Sequence, residues 1–391
     1  HTVLWPNSFR LSYGAGAEMS RYRNDTFRQF FAGEGLQTEL YNTNLVFFKY
    51  SAFGQLSRAF IDERLRLSFG LRTDANTYSD VMSNPLTQIS PRLSATFALT
   101  GQMNLNFNVG RYYQLPSYTS LGLRDNEGIY INRDNKLKYL AADHIVGGVE
   151  LIPDERLQFT VEGFLKSYSD YPFSVADQVP LSTKSAGYGI FGNEALVSTA
   201  VGRAYGFEFM GRARDFEGLN MVLAYTFVRS EFKGTEGNYI PTAWDNRHLI
   251  SVTATKKIGK SWNAGLRWRF VGGAPYTPYD TDKSSYIDAW NVTGQGYLDY
   301  SRFNTERLKG FSQLDLRIDK QFYFDKWSLM LYADVQNVYN FKADQPDILV
   351  LQTDGNGAPV VNPLDPQRYL LKYIDAEAGT VLPTIGIIIE I

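Results

Sequence analysis

The sequence predicts an all-β fold, an antiparallel transmembrane β-barrel, and three observations predict it. Apolar and polar residues alternate at period two along runs of about ten residues or more, the length a tilted strand needs to cross a bilayer. Aromatic residues make up 15% of the chain, with 26 Tyr, 26 Phe and 6 Trp, yet the mean hydropathy is -0.28. That pairing arises when each strand gives one side chain to lipid and the next to water. Tight polar turns alternate with long connections, a sorting that a soluble meander has no reason to build.

About 14 strands follow in order. The first runs are 8–27 and 45–60, and 64–78 follows the turn Ile61 to Glu63 with RLRLSFGLR alternating from Arg64 to Arg72. Runs 89–100 and 102–115 flank Thr100-Gly101; Met103, Leu105, Phe107 and Val109 alternate there with Asn104, Asn106 and Asn108. Runs 138–152 and 157–172 flank Pro153 to Glu155, and 196–213 and 217–232 meet at Arg214 to Glu217. Runs 245–257 and 261–274 flank Ile258 to Lys260. In the second, Trp262, Ala264, Leu266, Trp268 and Phe270 share one face, and Asn263, Gly265, Arg267 and Arg269 share the other. Runs 308–321 and 326–340 flank Tyr323 to Asp325, and 380–391 ends the chain. Most prolines fall in the long connections, such as 275–307 and 341–379, where no ladder hydrogen bond is lost. The whole of 1–391 reads as one barrel domain with no separate second domain.

Several function classes fall away. Charge is balanced (Lys+Arg 39, Asp+Glu 41), so no basic field draws nucleic acid. There is no cysteine, which removes disulfides and thiolate metal sites. No apolar run is long enough for a membrane helix. Of three histidines, His248 in DNRH has Asp245 and Arg247 nearby, but strand neighbours point to opposite faces, so Arg247 and His248 do not converge. No hydrolase, phosphate-loop or zinc-protease motif is present. DTDKS (280–284) spaces its oxygens like a calcium loop but lacks the turn glycine and closing glutamate. The expectation is therefore no enzyme, no cofactor and no metal.

Binding residues are sought among the loop aromatics, because Tyr and Trp supply rigid area with a polar tip. Many of them serve as an interfacial girdle. The best ligand candidates are Tyr276, Tyr279 and Trp290 in 275–307, with Tyr112 and Tyr113 at the mouth; Tyr188 and Phe191 belong to the wider set. Alternation turns Arg267, Arg269, Asp315, Arg317 and Asp319 to the lumen.

Four stretches carry a family resemblance. GRYYQLPSYTSLGL (110–123), LKYLAADHIVGGVEL (137–151), AWDNRHLISVTATKKIGKSWNAGLRWRFVGGAPYTPYD (243–280) and FSQLDLRIDKQFYFDKWSLMLYADVQNVYN (311–340) resemble successive hairpins of the TonB-dependent receptors of the Gram-negative outer membrane. The resemblance implies a 22-stranded barrel filled by an N-terminal plug. The chain has fewer strands and no plug, so it is expected to be the C-terminal part of a longer receptor. It further implies a receptor that binds a scarce solute (iron chelate, cobalamin, glycan or peptide) and imports it with TonB-supplied energy. Long loops would be extracellular and short turns periplasmic. Implied partners are membrane lipid, plug, TonB, solute and a surface lipoprotein; the lumen-facing charges pair with one another across the lumen or, as the resemblance implies, meet the plug. Rival readings are a passive porin, an outer-membrane enzyme and a soluble β-sandwich binder.

The last residues, IGIIIEI, divide at period two. Ile385, Ile387, Ile389 and Ile391 point to lipid; Gly386, Ile388 and Glu390 point to the lumen. Thr384 to Ile391 also resembles the C-terminal signal read by the barrel assembly machinery, with Ile where an aromatic is commoner.

Overall fold

The computed structural model describes residues 1–6, 9–32, 35–184 and 192–391; Tyr188 and Phe191 lie outside them. Its main feature is one 16-stranded antiparallel sheet. Fifteen strands pair each with the next in chain order: β1 (Thr2–Trp5), β2 (Phe9–Ala32), β3 (Gly35–Phe60), β4 (Leu65–Asn76), β5 (Ser90–Ala98), β6 (Met103–Gln114), β7 (Leu140–Asp154), β8 (Leu157–Ser174), β9 (Leu196–Phe216), β10 (Leu219–Lys233), β12 (Arg247–Ile258), β13 (Trp262–Val271), β14 (Phe311–Tyr323), β15 (Ser328–Gln336) and β16 (Leu382–Glu390). The short β11 (Tyr239–Pro241) adds to the side of β10. Among the described residues, β1 and β16 are the two edges of this sheet.

Two departures from the sequence expectation have physical reasons. The segment between the first two expected strands is not a loop: β2 and β3 run 24 and 26 residues and stay paired from Arg10↔Ser57 to Ala32↔Gly35. Backbone pairing needs no apolar alternation, so the ribbon continues past the point where the membrane pattern stops. The long connections also hold structure of their own, including helices Thr281–Ser285 and Ile287–Thr293 and the small ladder Ile348–Leu351 with Leu371–Ile374. Connections of that length must satisfy their own backbone groups.

The register sorts side chains as period two demands. Leu266 faces Leu316, Leu316 faces Val335, Leu331 faces Ile387 and Ala333 faces Ile385, all on the outer face. There Ile385 and Ile387 are 86% and 65% exposed, so they have no protein cover. The inner face carries the opposite set. Short turns join β3 to β4, β5 to β6, β7 to β8, β9 to β10, β12 to β13 and β14 to β15, all at one end. The first of these puts Ile61, Asp62 and Glu63 all at positive φ, 51° to 63°.

The apolar core lies at the opposite end, among the long connections. Leu121, Leu137, Tyr78, Met82 and Leu181 from three connections pack with Leu45 and Phe47 of β3. A barrel wall has lipid on one side and polar side chains on the other, so the loop layer is where this chain buries carbon against carbon.

Candidate functional site

Two connections, 275–307 and 341–379, enclose a cavity of about 450 Å³ lined by Tyr276, Tyr279, Tyr373, Arg302, Glu306 and Asp347, with Lys184 at its edge. Its base is fixed by backbone pairing: Leu308 N donates to Ala274 O (3.0 Å), and Pro275 and Tyr276 pair with Arg307 and Glu306. Thr277 and Asn304 are buried beneath it. Asn304 donates to Pro241 O (2.8 Å) and lies 3.1 Å from Thr277 Oγ1, which fastens the floor to β11.

A charged network anchors the loop. Asp245 is fully buried (0% exposed) and accepts from Arg229 Nε (3.0 Å), the Ser230 amide (2.8 Å) and Arg307 Nη2 (2.9 Å). Arg307 also donates to the Asp245 and Gly273 carbonyls, both at 2.6 Å. Glu231 continues the network, accepting from Arg229 (2.6 Å) and Arg203 (2.8 Å). A buried carboxylate needs such partners, because desolvating an unpaired charge costs several kcal/mol. The rim sequence DNRH thus divides: Asp245 goes to the network, while His248 meets Tyr225 Oη at 3.0 Å on the outer face.

The second wall is held by Arg368. It donates to Asp282 Oδ1 (2.6 Å), Ser285 Oγ (2.8 Å) and Tyr286 Oη (2.7 Å) and lies over the Tyr286 ring at 4.0 Å. One side chain thereby fastens 341–379 to the helix Thr281–Ser285. DTDKS is that helix start: Asp280 accepts from the Lys283 amide (2.9 Å).

Of the sequence candidates, the fold brings Tyr276 and Tyr279 together in this cavity. Trp290 lies in the helix Ile287–Thr293, 7% exposed, in a segment that packs against β2 and β3. Tyr112 sits on the inner face, between Arg92 (4.4 Å) and the His144 ring (4.6 Å). Tyr113 lines a separate cavity of about 610 Å³ with Glu18, Lys49, Arg72, Asp74 and Tyr118. The five charges assigned to the lumen share one inner-face ladder, with Arg267 opposite Asp315, Gly265 opposite Arg317 and Asn263 opposite Asp319. Arg317 donates to Asp319 (2.7 Å), and Arg269 donates to Gln313 (2.9 Å). Sequence reasoning missed Tyr373, Asp347, Lys184 and Arg302, which reach the cavity from three different connections. Only the loop fold unites them.

Burial sets the protonation of the tyrosines. Partial desolvation raises the Tyr276 phenol and that of the half-exposed Tyr373 above the usual range, helped at both by the Asp347 carboxylate. Tyr300, beside the cavity floor, is pushed up to about 12 by burial. All three stay neutral donors at ordinary pH.

Residues 2–338 match the family described as TonB dependent receptor-like, beta-barrel. The chain belongs to that family. Solved structures similar to this TonB-dependent receptor barrel include the Ferric-Catecholate import receptor Fiu from K12 E. coli, 13% identical with a TM-score of 0.60 over 99% of this chain and 53% of that one. The outer membrane transporter YddB from Escherichia coli is 15% identical, TM-score 0.60, over 100% and 52%. FpvAI, solved in complex with pyocin S2, is 12% identical, TM-score 0.61, over 99% and 48%. At these identities the likeness concerns the fold, and the barrel spans about half the length of those proteins. No curated protein matches the sequence.

Proposed function

We propose that this barrel serves an outer-membrane receptor that captures a scarce small solute under its long, extracellular connections and imports it with energy supplied through TonB. The family supports the transport class, and the Tyr-walled cavity supports the place of capture. The observation that carries the reading is the convergence of Tyr276, Tyr279 and Tyr373 on one cavity whose two walls are locked by Arg307 and Arg368. Such a site binds and releases; no covalent step is required of it, and catalysis plays no part in the reading. The inner-face ladder of Arg267, Asp315, Arg317 and Asp319 would meet a plug, and the extracellular face would meet a surface lipoprotein.

The test is uptake by cells carrying the full receptor, with and without TonB. Binding that persists in TonB-deficient cells while accumulation stops supports the reading. Accumulation that continues without TonB, with steady ion conductance in planar bilayers, would make it a passive porin.

A further inference from the structure

The charge inventory of the cavity narrows the solute class. Its cations are already committed. Lys184, whose side chain is 9% exposed, is held by both Glu194 oxygens (2.7 and 2.6 Å), by Asp177 and by Ser174 Oγ (3.1 Å). Arg302 donates to Glu306 at 3.0 Å. A polyanionic solute would have to break the buried Lys184 pairs, which costs more than it returns, or meet at the exposed Arg302 a guanidinium already shared with the Glu306 carboxylate.

The same pairing weakens the case for a polycation. Asp177, Glu194 and Glu306 are neutralised by their own partners, which leaves Asp347 as the wall carboxylate without an ion pair among the described residues. The adjoining cleft of about 810 Å³ shares Asn304 and is lined by Asp177, Glu236, Asn238, Tyr239 and Tyr300, with no lysine or arginine among the described residues of its lining. Among the described residues, the cations in the two linings are Lys184 and Arg302, and each already holds a carboxylate partner, which disfavours an anionic chelate.

Flat, polar-tipped surface remains. The Tyr279 and Tyr373 rings stand 6.3 Å apart at 48°, a V between the two walls, and Pro275, Pro278 and Pro346 stiffen its sides. Ring faces of this kind take the C–H faces of a sugar, while phenol hydroxyls and a lone carboxylate exchange hydrogen bonds with its hydroxyls.

Resting on the capture site proposed above, we infer that the solute is neutral and hydroxyl-rich, an oligosaccharide in class, and not an anionic metal chelate. The test is isothermal titration of the full receptor in detergent with defined probes. These are hexasaccharides of α-1,4-glucose, β-1,4-xylose, β-1,4-mannose and β-1,4-N-acetylglucosamine, a ferric tris-catecholate, and tetralysine. Tyr373→Ala and Asp347→Asn, both at exposed positions, are titrated alongside. The expected result is binding of at least one hexasaccharide, weakened about tenfold or more by Tyr373→Ala and less by Asp347→Asn, with no chelate binding. Chelate or tetralysine binding that Tyr373→Ala weakens overturns the solute class and leaves the capture site standing. A hexasaccharide that binds equally to both variants removes the capture site and the inference with it. Binding of none of the four hexasaccharides also overturns the inference.

Discussion

The ring of Tyr332 lies over the α-carbon of Gly386, its register partner on the inner face. A β-carbon at 386 would overlap the ring atoms, so glycine is the residue this neighbour leaves room for. The ring's other dependency is Arg317, whose guanidinium stands 4.2 Å from its centroid and donates to Asp319. The last strand, β16, is thereby keyed to β15, and through it to β14.

Gly386→Ala should destabilise the barrel by about 1–3 kcal/mol, the cost of overpacking a filled position. Tyr332→Ala in the same chain should recover most of it. Heat-modifiability on gels and thermal midpoints in detergent measure both. An unchanged midpoint for the single variant would show that the ring can move aside freely.

Asp245→Ala strips the shared acceptor from Arg229 and Arg307 and leaves two partly buried guanidinium groups short of a partner. A loss of about 3–5 kcal/mol is expected, with ligand binding falling too because Arg307 holds the base of the 275–307 loop. Arg302→Ala, whose pair with Glu306 is exposed, should cost under about 1 kcal/mol. Chemical denaturation of the two variants side by side checks the contrast.

Alkaline pH should destabilise the loop layer. An unfolded Tyr ionises near 10, while burial holds Tyr300 protonated to about 12. Across that window the unfolded chain has lost a proton that the folded one keeps, so stability is full below pH 10 and falls as pH rises. The slope is about 1.4 kcal/mol per pH unit for one such group. Tyr300→Phe should flatten the decline, as read from melting midpoints between pH 9 and pH 12.

On the outer face, Ile387→Arg should cost about 2–4 kcal/mol if the residue meets the bilayer centre. Glu390→Gln, on the inner face beside Ser328 (3.2 Å), should be near neutral. Folding yields into lipid vesicles distinguish the two; equal yields would refute the assignment of faces.

How much of this was legible in the sequence depended on the range of the interaction. The two faces of β13 and β14 follow from period two alone, so Arg267 and Asp315 could be placed on one face before their register was known. Asp245 and Arg247 were visible as a rim cluster, but Arg307, which completes it, is 62 residues away. The extent of β2 and β3 was hidden because a ribbon held by backbone pairing needs no apolar pattern. Tyr276 and Tyr279 could be named from one connection, whereas Tyr373 arrives from another, through a ladder that the apolar pattern of Leu371–Ile374 does not announce. Trp290 looked like Tyr279 by composition; its burial is decided by tertiary packing, which periodicity does not encode.

The placement of the apolar core among the connections, and not within the sheet, gives the molecule two kinds of interior. One is completed by lipid and held by ladders; the other is closed by the chain itself. The first depends on the membrane and the second on water, so solvents should take them apart separately, urea loosening the cap while the wall still stands. Selection can act the same way. The cap can be rewritten side chain by side chain while the outer face keeps the same isoleucines.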